Sequence, residues 1–333
     1  MKMNTRFGLI GCALVSCVAW QRAMADQQPR QFDTPEQAAN ALIQVAANFD
    51  LATGGEILGP DAIDIVSSED PVADRNEAQN FAAKAKEKIA IEIDKTNPNR
   101  AIISVGNDGL PCPIPLVKEN GKWRFDSRIG REEVIRRRVG ANELSAIAIC
   151  RGYVEAQHDY ATDRHDDSKV NQFAQKVIST LGKHDGLAWQ NNDGSWAGPA
   201  GPEVAKALQQ GYSAQPDTAY HGYYFKVLKG QGAAAPMGQL DFVVGGAMIG
   251  GFALAAAPAD YRVTGVKTFI VGSDGRVYEK DLGEDSLKIF RALDLYNPDQ
   301  TWRETSDDLG PDDTGDARDH AAPAASPSLE VSC

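Results

Sequence analysis

The amino-acid sequence predicts an α+β fold with antiparallel sheets, organised as two domains. Three observations lead there. Segments with helical periodicity are grouped rather than alternating one-for-one with strand-like segments. The strand-like segments are joined by short turn signals, Asn107-Asp108-Gly109, Asn120-Gly121 and Ser273-Asp274-Gly275, which make hairpins and therefore antiparallel pairs. A joint falls near Gly140, with helices and a sheet before it and a helix and a second sheet after it.

The first helix opens at Thr34, a capping residue, with Pro35 at the first helical position and Glu36 and Gln37 behind it. Ala38, Ala41, Leu42, Val45, Ala46 and Phe49 then recur at helical spacing, and Gly54-Gly55 ends the run. A short element, EILGPDAIDIV, precedes DRNEAQNFAAKAKEKIAIEID, a helix running into a strand. AIISVG and PCPIPLVKENGKWRFDS supply further strands. Pro111, Pro113 and Pro115 alternate, so their missing N–H groups point one way, which suits a sheet edge. REEVIRRR is helical, with Glu132–Arg136 and Glu133–Arg137 in the favourable i,i+4 order. Its basic run therefore reads as a salt-bridged helix face and not as a phosphate site. These elements make a domain over residues 32–139.

The second domain covers 141–303. Asn142 is expected to cap a new helix, ELSAIAICRGYVEAQHDYA, interrupted by TDRHDDS. KVNQFAQKVISTLG reads as another helix, stopped by Gly182. From Leu187 the chain is aromatic and glycine-rich and reads as strands, closing on DSLKIFRALDLY as a last helix. The stretch FVVGGAMIGGFALAAA, residues 242–257, is uncharged and contains a GxxxG. It falls short of the roughly 20 residues a membrane span needs, and Pro258, Asp241 and Asp260 bound it. The expectation is strand–turn–strand, mostly buried, turning near Gly245-Gly246. Its glycines are expected to pack against the helix that starts near Asn142.

The ends set the compartment. Lys2 and Arg6, the apolar run Phe7–Trp20 and Ala23-Met24-Ala25 follow the order of a secretory signal peptide over residues 1–25, with cleavage after Ala25. Leu14-Val15-Ser16-Cys17 offers a rival route, lipid anchoring at Cys17. Both place the folded chain in the periplasm or beyond. Residues 304–333 are acidic and then Ala/Pro/Ser-rich, the composition of a disordered tail. Loss of Lys2, Arg6 and Arg22 takes the formal charge from −12 to −15, which disfavours nucleic acid and anionic membrane surfaces as partners. Cys112, Cys150 and Cys333 then remain, an odd number without a CxxC.

Catalytic signals are sparse. The histidines, 158, 165, 184, 221 and 320, show no HExxH, no i,i+4 pair and no Cys/His spacing. No metal site and no cofactor is expected. DRHDDS lacks the glycine and distal glutamate of a calcium loop. GGAMIGG lacks the Lys-Ser/Thr of a phosphate loop, and no GxSxG is present. The best binding candidates are aromatic: Trp189, Trp196, Tyr220, His221 and Tyr223, with Tyr224 beside them. As a strand, Tyr220, Gly222 and Tyr224 would face one way and His221 and Tyr223 the other.

Three resemblances follow from these segments. The first half, closing on Gly-Lys-Trp-Arg-Phe, resembles the cone-shaped domains of the nuclear-transport-factor-2 type. NELSAIAICRGYVEAQHDYAT with GYYFKVL and GGFALAAAPADYRVTGVKTFIVGSDGRVY resembles the helix and β-meander of soluble pilin-like proteins. The apolar N-terminal half of a true pilin helix is missing, so fibre assembly is not implied. IGREEVIRRRVGANELSAIAICRGYVEAQHDYA, GKHDGLAW, YHGYYFKVLKGQG and GGFALAAAPADYRVTGVKTFIV resemble a secreted bacterial family, domain of unknown function 2950, across residues 32–303. The expectation is thus a non-catalytic binding protein of the bacterial envelope with a protein partner there. The alternatives are a small-molecule or glycan binder working through the N-terminal domain, and a hydrolase whose site is assembled from distant residues.

Overall fold

The structure is a computed structural model that describes residues 28–214 and 218–306. It is a mixed α+β fold in which every pairing between named strands is antiparallel and, among the described residues, no sheet closes. The first sheet contains β1 (Ile89–Ile93), β2 (Arg100–Val105), β3 (Leu110–Pro111), β4 (Leu116–Glu119) and β5 (Lys122–Phe125), in the order β1-β2-β4-β5 with β3 also on β2. Helices α1 (Pro35–Asn48), α2 (Leu51–Leu58), the short α3 (Ile63–Val66) and α4 (Pro71–Glu87) precede it. Ala38, Ile57, Ile103, Leu116 and Phe125 lie at the heart of this first core.

Local chemistry explains the boundaries. Thr34 caps α1 by accepting from the Gln37 amide, as expected, and Asp50 and Asp70 cap α2 and α4 in the same way. Asn120 and Gly121 both have positive φ, the requirement of a tight hairpin turn. Pro111 sits on the edge stub β3, where its missing N–H costs no ladder bond.

A single helix, α5 (Ser127–Tyr160), runs straight through the expected joint. Its 34 residues span about 51 Å. Asn142 therefore caps nothing; its Nδ2 donates to the Thr264 carbonyl at 2.9 Å. One glycine at 140 costs a helix only about 1 kcal/mol. Packing at both ends outweighs that cost. Arg131 and Arg138 tie the first half of α5 to the α3 segment, and the second half lies on the second sheet. Of the two expected surface pairs, Arg137–Glu133 forms at 2.6 Å, whereas Arg136 also turns to Glu133 and not to Glu132.

The second sheet runs β16 (Arg303–Glu304), β15 (Val277–Asp281), β14 (Lys267–Gly272), β13 (Ala253–Pro258), β8 (Tyr223–Leu228). Both α5 and α7 (Ser286–Ala292) pack against β13, and all six of its residues are buried. Side chains alternate along a strand, so both faces are covered, and a continuous apolar run results. That is the reason for the uncharged stretch. The expected turn is present, with Gly245 and Gly246 both at positive φ, but it joins β11 (Val243–Val244) to β12 (Ala247–Met248), a separate hairpin that follows the antiparallel pair β9 (Gly230–Gln231) and β10 (Leu240–Asp241). Gly250 and Gly251 pack against Asp241 and Phe242 and not against α5. A Cβ at 250 would stand 2.5 Å from the Asp241 carbonyl oxygen.

KVNQFAQKVISTLG forms no helix. Its backbone groups are taken elsewhere: Phe173 N–H donates to Met248 O, and buried Gln157 both donates to Ala174 O and accepts from Ala174 N–H. Val177, Ile178 and Thr180 are β-branched and weaken a helix in any case. A helix that sequence reading missed, α6 (Gly201–Gln209), follows the hairpin β6 (Trp189–Gln190)–β7 (Trp196–Ala197). Strand pairing reaches past the expected start of the tail at 304, because Arg303–Glu304 pair with β15 and Thr305 N–H donates to Val277 O. The expected signal segment 1–25, with Cys17 and Ala25, and residues 307–333 of the expected tail lie outside the described residues. No helix among the described residues is long and apolar enough to cross a membrane. Cys112 and Cys150 are separate thiols, and burial pushes Cys150 up to about 12.

Candidate functional site

The five aromatic candidates occupy different settings. Tyr223 belongs to the core. It has no exposed surface, its hydroxyl donates to Lys267 O at 2.9 Å, and Gly265 lies against its ring. It therefore presents no binding surface. Nor do residues 220–222 continue the strand. Tyr220 and Tyr223 pair across a two-residue turn in which His221 and Gly222 both have positive φ. The expected alternation of faces fails there because the chain reverses.

Trp189 is half-buried between two histidines, with ring centroids 4.6 Å from His184 and 5.7 Å from His165. Tyr160 stacks on His165 at 3.9 Å and donates its hydroxyl to His184 O. Asp166 accepts from the His184 amide, and Asp185 holds Thr180 and Lys176. Tyr160, His165, Asp166 and Asp185 thus spend hydrogen bonds on holding loops. Trp196 lies on β7 opposite Gln190, with Gly201 beneath its backbone. His158 sets its ring edge-on to Phe173 and Phe252.

Tyr220 and His221 instead join a third ring, Tyr212, at 4.7 and 5.7 Å. Beneath them lies Asp70, only 2% exposed. One of its carboxylate oxygens accepts from the Tyr212 hydroxyl at 3.0 Å and the Gly222 amide at 2.9 Å, and the other caps α4 through Ala73 N–H. This carboxylate fastens the start of α4 to the turn before β8. Burial first, then the Asp70 charge, hold the Tyr212 hydroxyl far above the ordinary phenol range.

Next to Asp70 is a second buried carboxylate, Asp74. It accepts from the Ser68 amide at 2.6 Å and the Ser68 hydroxyl at 2.9 Å, with Arg138 at 3.8 Å. Burial raises its pKa, the Ser68 bonds and Arg138 opposing. Arg138 is itself buried and donates to Asp64 O and Ile65 O, each at 2.6 Å. Around this pair are two openings. One, of about 270 Å³, is polar, lined by Ser68, Asp70, Asp74, Glu77, Arg137 and Asn142 among others. The second, of about 200 Å³, is a cleft among α1, α2, α4 and α5. Leu42, Val45, Phe49, Val66, Phe81 and Val134 make its walls, and Asp74, Glu77 and Arg138 its polar end. Cys112 also lines it, and burial raises that thiol's pKa above its ordinary value.

Sequence reading missed Asp70, Asp74, Arg138 and Tyr212. Asp70-Pro71 carried a usable signal, a capping residue before proline at the first helical position. Arg138 carried none, since a buried arginine and a surface one look alike in a basic run. Among the described residues no group of three or more His, Cys, Asp or Glu side chains is placed to hold a metal ion.

One prediction arises at His221. Burial holds its pKa below the ordinary value of 6.5, with Lys206 acting in the same sense and Asp70 against. The folded state thus binds the proton less well than the unfolded state. As pH falls below 6.5, the unfolded chain gains protons first and stability declines. His221→Asn, which tolerates the left-handed backbone, is expected to flatten that part of the profile. Urea midpoints measured from neutral to acid pH check it; identical slopes for both proteins would refute it.

The two cores, the through-running helix and an apolar cleft with Asp74, Glu77 and Arg138 at one end define a mixed α+β protein. Residues 29–305 match the model of a family described as protein of unknown function (DUF2950), and the chain belongs to that family. No curated protein and no solved structure matches it.

Proposed function

We propose that this is an extracytoplasmic binding protein, without catalysis, whose ligand is a small, largely apolar molecule seated in the cleft among α1, α2, α4 and α5. The observation that carries the reading is the lining of that cleft, aliphatic and aromatic walls with one polar end. A glycan would leave its hydroxyls facing Leu42, Val45 and Val66 without partners, so the walls favour an aliphatic or aromatic ligand. Binding and not turnover is favoured because Arg138 and Asp74 are engaged by Asp64 O, Ile65 O and Ser68. The location outside the cytoplasm rests on the order of residues 1–25.

A thermal-shift screen of medium-chain alcohols, carboxylic acids and aromatic amides tests the ligand. A binder at 100 times its Kd is expected to stabilise the fold by about 2.7 kcal/mol. Ala78→Phe, which fills the cleft from α4, is expected to abolish that shift while leaving the apo protein folded. Absence of any stabilising compound, or a shift indifferent to Ala78→Phe, would sink the reading. Intact mass of the periplasmic fraction tests the location: a chain beginning at Asp26 supports it, a lipid-modified Cys17 moves the protein to a membrane anchor, and an uncleaved cytoplasmic chain overturns it.

A further inference from the structure

The first sheet has two edges, and they are treated differently. At β5 the edge is covered, because Phe32 and Trp123 exchange both backbone hydrogen bonds at 2.8 Å. At β1 it is open. In the β1–β2 ladder, Lys88 O accepts from Gly106 N–H and Asp94 N–H donates to Arg100 O. Those pairs share the register that matches Ile89 to Val105 and Ile93 to Ala101. Even-numbered residues therefore face β2, and Ile89, Ile91 and Ile93 turn their N–H and C=O groups outward.

The side chains repeat the same imbalance. All three isoleucines lie on the core face, level with Val105, Ile103 and Ala101, which are fully buried. Yet Ile89 remains 39% and Ile93 46% exposed. Proteins usually blunt such an edge with proline, a bulge or an inward-pointing charge. IAIEI has no proline, no bulge and only Glu92, on the opposite face.

We infer that β1 pairs with β1 of a second copy of this chain, antiparallel about Ile91, to form a two-fold dimer with one continuous sheet. The segment is self-complementary in that register. Ile91 meets Ile91 and each Ile89 meets Ile93, so every outward N–H and C=O of the isoleucines finds a partner and the apolar row becomes continuous. Lys88 falls opposite Asp94 at both ends of the ladder, and Glu92 opposite Ala90 and not another carboxylate. Asp94 uses one oxygen on Thr96 N–H and Oγ1, which leaves the other for the lysine and holds the carboxyl below its usual range. Shifting the register by two residues in either direction leaves an isoleucine at one end unpaired. A strand this short makes a small interface, so the dimer dissociates on dilution.

Sedimentation of the mature chain across a concentration series tests this, with hydrogen exchange at residues 89–93. The wild type is expected to show twice the single-chain mass at high concentration, with the 89, 91 and 93 amides losing protection on dilution. Ile91→Pro removes only an outward N–H, leaves the β1–β2 bonds intact, and is expected to reduce the mass to one chain with an unchanged circular dichroism spectrum. Lys88→Glu, on the exposed surface, faces Asp94 with a like charge and is expected to weaken the dimer at least tenfold, which decides the matter if the proline variant misfolds. A wild type monomeric at every concentration overturns the proposal. So does a dimer that survives both substitutions. A monomer whose 89, 91 and 93 amides are nonetheless protected assigns the edge to the chain's own termini and overturns it as well.

Discussion

Replacing Arg138 with leucine is expected to lower the unfolding free energy by about 3–5 kcal/mol, the cost of breaking a buried charged network from one side. The guanidinium donates to Asp64 O and Ile65 O and lies beside Asp74. Leucine leaves two buried carbonyls and a buried carboxylate without that partner. For a domain of this size the melting temperature should fall by roughly 10 °C or more. Arg138→Lys should recover little, since an ammonium cannot present the planar fork that reaches two carbonyls at once. Thermal unfolding followed by circular dichroism measures both. A shift within a few degrees of wild type would show that Arg138 is dispensable to the packing of α5 on α3. Because Arg138 also closes the polar end of the cleft, the leucine variant should lose ligand stabilisation along with stability.

The second large effect separates three glycines of one helix. Gly130 of α5 sits where the chain from Pro113 to Ile114 crosses it. A Cβ there would stand 2.6 Å from Pro113 O and 2.7 Å from the Ile114 Cα, both backbone atoms that cannot swing aside. Gly130→Ala is expected to cost about 2 kcal/mol or more through overpacking. At Gly140 and Gly152 a Cβ meets nothing within 4 Å. Alanine at either should raise stability by about 0.5–1 kcal/mol, through helix propensity alone. Urea unfolding of the three variants gives opposite signs if the packing is as described. Equal stabilisation in all three would mean that the contact of α5 with residues 113–114 is absent.

These glycines also show how much of the molecule was legible from residues alone. Gly140 looks like a boundary in the sequence and Gly130 looks ordinary. In the folded chain the first is an exposed helical residue and the second a contact point. A glycine's meaning depends on what lies beside it, and that is not a local property. The hairpin turns at 120–121, 245–246 and 273–275 were readable, because their backbone requirement is met by the residues in the turn. The turn at His221-Gly222 has the same conformation but was concealed by the aromatic residues around it, which read as strand. The helix expected over KVNQFAQKVISTLG failed for the opposite reason. Its spacing suited a helix, but Gln157 and Met248, distant in sequence, claim its backbone groups.

The candidate site was less legible than the fold. Residue type alone points to the aromatic candidates, and type does not distinguish Tyr223 in the core from Tyr220 at a turn. The buried network joins Asp64, Asp70, Asp74 and Arg138 to Tyr212 and Gly222 across more than 150 positions of chain. No spacing rule reaches that far.

By itself the sequence determined the α+β class, the antiparallel pairing, several hairpin turns and the capped start of α1, since caps, turn residues and periodicity act within a few positions. Only the tertiary structure decided that α5 runs unbroken through both cores, which carboxylates are buried, where the cleft opens and which strand edge stays bare among the described residues. Those outcomes depend on which surfaces meet, and the free energy of burial is set by the neighbours brought together and not by the residue alone.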